Sequence, residues 1–426
     1  MITRMEAYNY RCFRDLDIKI SPFSILVGAN GSGKSTFMDI LGFLKDLNND
    51  GLYEAIKKRA NYLEEILWMN RGDKFALAVE MEIPDRIRKE LAEKWTHCRY
   101  EVCIGRFKLK YKEDQYLDIF QYIKNESKKN DLKKSYKEIE ILSEKLILYD
   151  DPNDKGEDEQ RKENVIIKNI LGDTRFISET KREDHELEFN IKKGKSALSN
   201  IPEDESRFPV SLWLKETLRD RVQIISLNSE KMKTPCLAYG TPEYTSDGSN
   251  LPLVIKNFKK EHPDQYKDWI KHLQTFLCDL KDIRIIEREE DRHLYIKAKF
   301  KFEKNYQIEI PSWLLSDGTL RMIALTLLAY LPYKDYIFLI EEPENGIHPL
   351  EIETAYQSLS SIYDSNAMVA THSPVLLSCA ELDELICFRK EKGGLISVVR
   401  GTDHPRLKNW KDSPNLSILF ASGVMA

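Results

Sequence analysis

The chain has 426 residues, 42% of them hydrophobic, with 65 Lys and Arg against 70 Asp and Glu for a formal net charge of −5. That length accommodates two or three domains, or one core with large insertions, and that hydrophobic share excludes a chain disordered throughout. The weakly acidic balance excludes a strongly basic nucleic-acid coat and leaves a local basic face open.

Residues 2–9 read as a first strand, and Leu16-Asp17-Ile18-Lys19-Ile20 alternates as a second, paired with it. Phe23-Ser24-Ile25-Leu26-Val27 is a short apolar run that reads as a buried strand. It feeds Gly28-Ala29-Asn30-Gly31-Ser32-Gly33-Lys34-Ser35-Thr36, which has the spacing G-x-x-x-x-G-K-[ST], and helical spacing follows from Thr36 to Leu41. Strand, glycine loop and helix place phosphates at a helix N-terminus. The glycines bring backbone N–H groups close, Lys34 neutralises the β and γ oxygens, and the Ser35 hydroxyl ligates Mg²⁺. The loop therefore predicts a bound nucleoside triphosphate.

Leu52 to Met69 shows helical spacing, while Phe75 to Ile83 and Tyr100 to Tyr111 read as strands. Residues 112–163 are dense in charge and read as an exposed insertion with mobile connections. Regular patterning returns from residue 250, with Trp269, Ile270, Leu273, Phe276 and Leu277 on one helical face. Leu294, Ile296, Ala298, Phe300 and Phe302 alternate with Tyr295, Lys297, Lys299 and Lys301, and Tyr306, Ile308 and Ile310 alternate again, which predicts a hairpin with one buried face. The lysines of its other face suit a solvated strand better than a phosphate track.

Tyr336-Ile337-Phe338-Leu339-Ile340 is an apolar strand that ends in Glu341 and Glu342. Acids at the carboxyl end of a central strand sit where P-loop folds bind Mg²⁺ and nucleotide. Glu341 is placed to hold Mg²⁺ and Glu342 to act as general base for the attacking water. Leu315-Ser316-Asp317-Gly318-Thr319 opens the helix that precedes this strand. Ser316 and Gly318 offer a hydroxyl and free N–H groups to an anion, and the same residues would serve as an ordinary N-cap and turn. Thr371-His372-Ser373-Pro374 follows a further apolar strand, 367–370, where a histidine can donate a hydrogen bond to the γ-phosphate. Lys34 and Glu341 stand 341 − 34 = 307 residues apart, so the ATPase core is split.

The seven cysteines, at 12, 98, 103, 236, 278, 379 and 387, form no C-x-x-C pair and read as reduced thiols. The N-terminus lacks the apolar core of a signal peptide, and no apolar run approaches the ~20 residues that span a bilayer. These features predict a cytoplasmic protein with no membrane partner.

With these motifs in order, the chain resembles the ABC-type ATPases of the RecF, SMC and OLD group, often described as AAA-family ATPases, and among them compact bacterial ATPases of phage-defence modules. The resemblance covers residues 1–80 and 220–426. The glycine loop resembles Walker A, 315–319 the ABC signature, 341–349 Walker B running into a D-loop, and His372 the switch histidine. Asp247-Gly248-Ser249-Asn250-Leu251 and the tail from His404 to Val424 are also similar to family segments. The resemblance implies an α/β fold: a P-loop ABC-type head with a split core, an antiparallel β subdomain, a helical lid and a charged middle insertion.

It divides the chain into an N-terminal lobe (1–83), an inserted region (84–220), a helical lid and hairpin (221–310) and a C-terminal lobe (311–426). Two heads would sandwich two ATP molecules, with the nucleotide-binding residues Gly28, Asn30, Gly31, Ser32, Gly33, Lys34, Ser35 and Thr36 of one and Ser316 and Gly318 of the other. Asp317 replaces the first glycine of the usual signature, Glu341 stands where transporters carry aspartate, and Gln223 is the candidate for a Q-loop. The 84–250 segment is too short for an SMC coiled coil, and only 426 − 349 = 77 residues follow Pro349, with no Asp-x-Asp pair for a Toprim nuclease. The expected function is an ATP-hydrolysing switch, a homodimer or larger assembly of heads, that controls a separate effector (a nuclease or toxin) in anti-phage defence. The alternative is a RecF-like repair clamp whose ATP state sets its grip on DNA.

Overall fold

A computed structural model describes residues 1–106, 139–150, 163–180, 186–241, 243–302, 306–391 and 393–406. Strands β1 (Ile2–Tyr10) and β2 (Phe13–Lys19) pair antiparallel, with Ala7 opposite Leu16. The chain then enters a second sheet through β3 (Phe23–Gly28) and leaves it in helix α1 (Lys34–Asn49). It returns to the first sheet with β4 (Lys74–Glu82), β5 (His97–Arg106), β6 (Ile139–Tyr149), β7 (Glu163–Ile170), β8 (Asp173–Phe176) and β9 (Leu187–Asn190). The result is an eight-stranded sheet of order β2-β1-β4-β5-β6-β7-β8-β9, antiparallel throughout.

Two expectations fail in this region. Residues 139–149 do not belong to an exposed insertion, because β6 lies inside the sheet between β5 and β7 and is buried along most of its length. Its one central acid is a staple: Glu144 is fully buried and accepts hydrogen bonds from Tyr100 Oη (2.8 Å), Ser196 Oγ (2.7 Å) and the backbone N–H groups of Ala197 (2.7 Å) and Leu198 (2.9 Å). Burying a carboxylate is tolerable only when donors replace its water in this way. The other residues of 112–163, apart from 150 and 163, lie outside the described residues, as do 107–111 of the strand predicted over 100–111 and the tail beyond 406. The predicted helix over 52–69 is also broken, into α2 (Leu52–Lys57), a turn Leu63–Ile66 and a 3₁₀ turn Trp68–Asn70. Between the first two, the Arg59 guanidinium folds back onto Asp39 (2.7 Å) and Asp46 (2.8 Å) and over the Phe43 ring. Those contacts fix the chain more firmly than helical propensity does.

After helix α3 (Pro209–Glu216) the chain builds the rest of the second sheet. Its strands are β10 (Val222–Ile225), β14 (Ile337–Glu341), β15 (Asn366–Ala370), β3, β16 (Leu385–Lys390) and β17 (Ile396–Arg400), in that order. All neighbours are parallel except β16 and β17. A parallel sheet is covered on both faces, and the alternation shows it. Leu26, Ile337, Leu339 and Met368 join the core shared with α1 and the antiparallel sheet, while Ile25, Val27, Phe338, Ile340 and Val369 join a second core.

That second core is roofed by α4 (Leu251–Glu261), α5 (Pro263–Leu273) and α6 (Asp317–Leu328). Beside them lies a three-stranded sheet, β11 (Leu280–Glu287), β12 (Leu294–Lys301) and β13 (Gln307–Pro311). The predicted hairpin is its second half. Trp269, fully buried on α5, donates from Nε1 to Thr326 Oγ1 of α6 at 3.0 Å, tying the two helices together. Helices α7 (Ile352–Ser360) and α8 (Pro374–Cys379) complete the parallel unit. The architecture is an α/β head whose halves meet across β3, β14 and β15.

Candidate functional site

The parallel strands β3, β14 and β15 all end on one edge, and their carboxyl ends create the site. β3 ends at Gly28, where an added Cβ would run into the Phe388 carbonyl oxygen of β16, so only glycine lets the two strands approach this closely. Gly31 (φ 71°) and Gly33 (φ 104°) take left-handed conformations. Gly33 is the N-cap of α1 and, lacking a side chain, leaves the first N–H groups of the helix without a side-chain cap. An uncapped sixteen-residue helix aimed into a cleft is an anion site by dipole and by donor count.

Lys34 is buried, and its Nζ donates to the carbonyls of Gly28 (2.8 Å) and Ala29 (3.2 Å). Desolvation pulls its ammonium down from the usual lysine range to about 8, against the opposing pull of nearby Glu342. Ser32 Oγ is buried with no hydrogen-bond partner. A buried hydroxyl without a partner and a desolvated cation are a costly pair unless a ligand completes them.

On the opposite wall β14 ends at Glu341, in register with Ala370 of β15. Glu342 has φ 44°, a left-handed conformation costly for a residue with a side chain, held by its N–H donating to the Ala370 carbonyl at 2.8 Å. Its Oε2 accepts from Asn345 Nδ2 at 2.5 Å. Glu344 reaches under the next loop: Oε1 accepts from Thr371 Oγ1 (2.6 Å) and from the His372 N–H (3.0 Å). The His372 imidazole is lowered by desolvation and by the positive charge of Lys34, so at neutral pH it is uncharged and can donate one N–H.

These groups enclose an open cleft of about 490 Å³, a size that suits a small-molecule ligand. Its walls bring together Asn30, Gly31, Ser32, Gly33, Lys34, Ser35 and Thr36 with Glu341, Glu342 and His372, joining the two halves of the split sequence. Gly28 lies behind the loop as the carbonyl partner of Lys34. Ser35 and Glu341 face the same cleft and are the residues that would hold Mg²⁺; two protein oxygens suit a cation that keeps several of its waters. The uncapped helix, the partnerless Ser32 hydroxyl and the glycine turns fit a nucleotide phosphate.

Ser316 and Gly318 do not line that cleft. Ser316 is exposed and caps α6, its Oγ accepting from the Thr319 N–H at 3.1 Å, the N-cap geometry the sequence leaves open. Gly318 passes close to the D-loop segment, where an added Cβ would be 2.8 Å from the Gly346 carbonyl oxygen. Gln223 lies mid-strand in β10, opposite Phe338, and donates back to the Asp220 carbonyl at 3.0 Å, away from the cleft. The residues that follow β10, Ser226 and Leu227, line it instead.

Four side chains at this site carry no signal in the sequence as ligands: Cys12, Arg321, Asn345 and Glu344. Cys12, from the β1–β2 turn, packs on the loop, with Sγ 2.9 Å from where a Cβ on Gly33 would be. Arg321 reaches in from α6 and ties it to the β10 exit through the Leu227 carbonyl (2.8 Å) and Ser229 Oγ (3.2 Å). Asn345 and Glu344 follow β14 directly, and their contacts with Glu342, Thr371 and His372 are what assign them work.

Among solved structures, the chain is similar to the SmcHead bound to the C-winged helix domain of ScpA, with a TM-score of 0.52, 14% identity, and coverage of 93% of this chain and 96% of that one. At that identity the likeness is one of fold. The SMC head domain from Thermotoga maritima aligns over 94% of this chain and 98% of its own at a TM-score of 0.40 and 12% identity, too low to add an argument. A curated relative, the OLD nuclease of Thermus scotoductus (strain ATCC 700910 / SA-01), is 40% identical over 38 residues, 9% of this chain, and the match spans 7% of that nuclease's length. The AAA ATPase domain pattern matches residues 1–377, both halves of the cleft included, and the chain belongs to that family of ATPases.

Proposed function

We propose that the chain is an ATP-driven switch that closes head to head with a second copy and controls a separate effector, a nuclease or toxin, in anti-phage defence. The observation that carries the reading is the separation of two complementary half-sites. Lys34 and the uncapped α1 lie in one cleft, while Ser316 and Gly318 sit outside it at the N-terminus of a twelve-residue helix. Trp313 and Leu314, just before Ser316, are 44% and 69% exposed, as suits a face that a partner covers. The local match to an OLD nuclease supports the link to an effector.

In this reading Lys34 turns from the Gly28 and Ala29 carbonyls to the β and γ oxygens, and the first N–H groups of α1 bind the same phosphates. Glu342, oriented by Asn345, accepts the proton of the attacking water. Neutral His372 donates to the γ-phosphate, its backbone fixed by Glu344. Ser35 and Glu341 would hold a magnesium ion, whose chemistry there would be neutralisation of phosphate charge. Ser316 and Gly318 of the second copy close the site, and their release after hydrolysis opens the head.

The test is Glu342→Gln with Mg²⁺ and ATP. It should keep nucleotide affinity, lose at least a hundredfold in turnover, and sediment as a dimer only with ATP. Wild-type turnover removes Glu342 from its role, and a variant that stays monomeric at saturating ATP removes the head-to-head reading. An ATP-dependent grip on gapped DNA with no effector would favour the repair-clamp alternative.

A further inference from the structure

Asp317 is the departure that sets this signature apart, and it places a carboxylate between Ser316 and Gly318, where the proposed sandwich needs to receive a phosphate. A negative side chain at the first turn favours the helix itself and opposes an incoming anion. Asp317 is not left alone. Lys233 Nζ lies 2.6 Å from its Oδ1, and Asp317 in turn holds the Lys233 ammonium above the usual lysine range. Glu230, one turn back, is the other acid near that ammonium, at 3.6 Å.

Lys233 is also well anchored. It ends the one-turn helix Ser229–Lys233, whose entry is capped by Asn228 accepting from the Lys231 N–H. Its carbonyl accepts from the buried Ser312 Oγ at 3.2 Å, in the turn that leads to Ser316. The same short segment begins at Ser226 and Leu227, which line the Lys34 cleft, and Arg321 of α6 bonds to it at Leu227 and Ser229. Lys233 thus stands where the wall of its own nucleotide cleft meets the signature.

We infer that Lys233 is a positioning residue of the composite ATP site: by pairing with Asp317 it cancels the carboxylate charge at the signature and lets Ser316 and Gly318 receive the phosphate of the nucleotide held by a second copy. On closure the Lys233–Asp317 pair would meet that phosphate beside Ser316 and Gly318. This rests on the head-to-head reading above. It predicts that Lys233 matters for the partner's nucleotide and not for its own.

The experiment uses the full chain carrying Glu342→Gln, with two readouts: binding of a fluorescent ATP analogue at protein concentrations where the chain is monomeric, and ATP-dependent dimerisation by analytical ultracentrifugation. Adding Lys233→Ala should weaken ATP-dependent dimerisation at least tenfold while nucleotide affinity stays within twofold. Lys233→Arg should restore dimerisation, and so should Asp317→Gly placed on Lys233→Ala, because removing the carboxylate removes the need for the cation. A purely structural ion pair would show its loss in the nucleotide affinity and thermal midpoint of the monomer as well, and not in dimerisation alone. If the parent dimerises with ATP and Lys233→Ala dimerises equally well, or if Asp317→Gly fails to rescue it, this inference is overturned while the head-to-head reading stands. A parent that stays monomeric overturns both.

Discussion

Lys34 offers the most direct measurement of how the cleft treats charge. Desolvation brings its ammonium to about 8 in the free protein, whereas phosphate oxygens at the same place favour the charged form. The sign follows. Below pH 8 the free protein already carries the proton, so nucleotide affinity is at its full value. Above pH 8 binding must take up a proton, and affinity falls as pH rises. Between pH 7 and pH 9 the protonated share falls from about 90% to about 10%, which weakens binding about tenfold, or about 1.4 kcal/mol. Folding of the free protein has the opposite sign: the unfolded chain keeps the Lys34 proton up to the ordinary lysine value, so this residue adds stability as pH rises through the same window. Titrations with a fluorescent ATP analogue at fixed free Mg²⁺, from pH 7 to pH 9.5, give the profile. Lys34→Arg is the control, since a guanidinium does not titrate there and its profile should be flat at whatever affinity it has. A wild-type affinity constant within a factor of two up to pH 9.5, or an equal fall in Lys34→Arg, would refute the desolvated-lysine account.

Substitutions at two further residues probe groups around the site and the sheet. Glu344→Ala removes the acceptor that holds Thr371 Oγ1 and the His372 N–H. Hydrogen bonds to a charged acceptor contribute about 1.5–3 kcal/mol each, so ATP turnover should fall at least tenfold. Glu344→Gln, which keeps an acceptor oxygen, should retain most of it, and nucleotide affinity should stay within about twofold for both; a steady-state ATPase assay beside a binding titration separates the two effects. Glu179 is fully buried against the start of α3, where it accepts from the N–H groups of Val210 and Ser211, and burial raises its carboxyl to about 7. The native state therefore holds a proton between about pH 4.5 and pH 7 that the unfolded chain gives up, and stability falls by about 3 kcal/mol as pH rises through that window. Glu179→Gln should remove that slope, read as the difference between wild-type and variant denaturation midpoints at pH 5 and pH 8. Parallel midpoints at both values would show that Glu179 is ionised throughout.

What was legible in the sequence is what lies within a few residues of a strand end. The glycine loop, the acids after β14 and the histidine after β15 are each read locally, because a parallel strand presents its ligands where it stops. That three such ends share one edge is a matter of sheet order, and no local pattern states that β15 lies between β14 and β3. For the same reason Arg321 and Asn345 were missed: an arginine one turn into a helix looks like any solvated cation until the β10 exit is packed beside it. Charge density misled over residues 139–149, since the count of acids and lysines did not show that Glu144 meets five donors in the interior.

Cys12 shows why the antiparallel sheet is more than an appendage to the nucleotide fold. The β1–β2 turn brings Cys12 and Phe13 against Gly33, where an added Cβ would lie 2.9 Å from the thiol sulfur and 3.2 Å from the Phe13 ring. The N-cap of α1, whose free N–H groups define the phosphate site, is thus wedged in place by the first turn of the other sheet. Next to that turn, Tyr10 and Arg11 both hold Asp39 of α1, at 2.7 Å and 2.9 Å, so the helix is gripped from the same side one turn further on. Close-packed interiors transmit displacement instead of absorbing it. In the proposed switch, a shift of the eight-stranded sheet would reach the glycine loop through these contacts, and nucleotide seated in that loop would bear on the sheet in return. The switch proposed above would use this contact, together with the core that α1 shares with the antiparallel sheet, to carry a change at the glycine loop into that sheet.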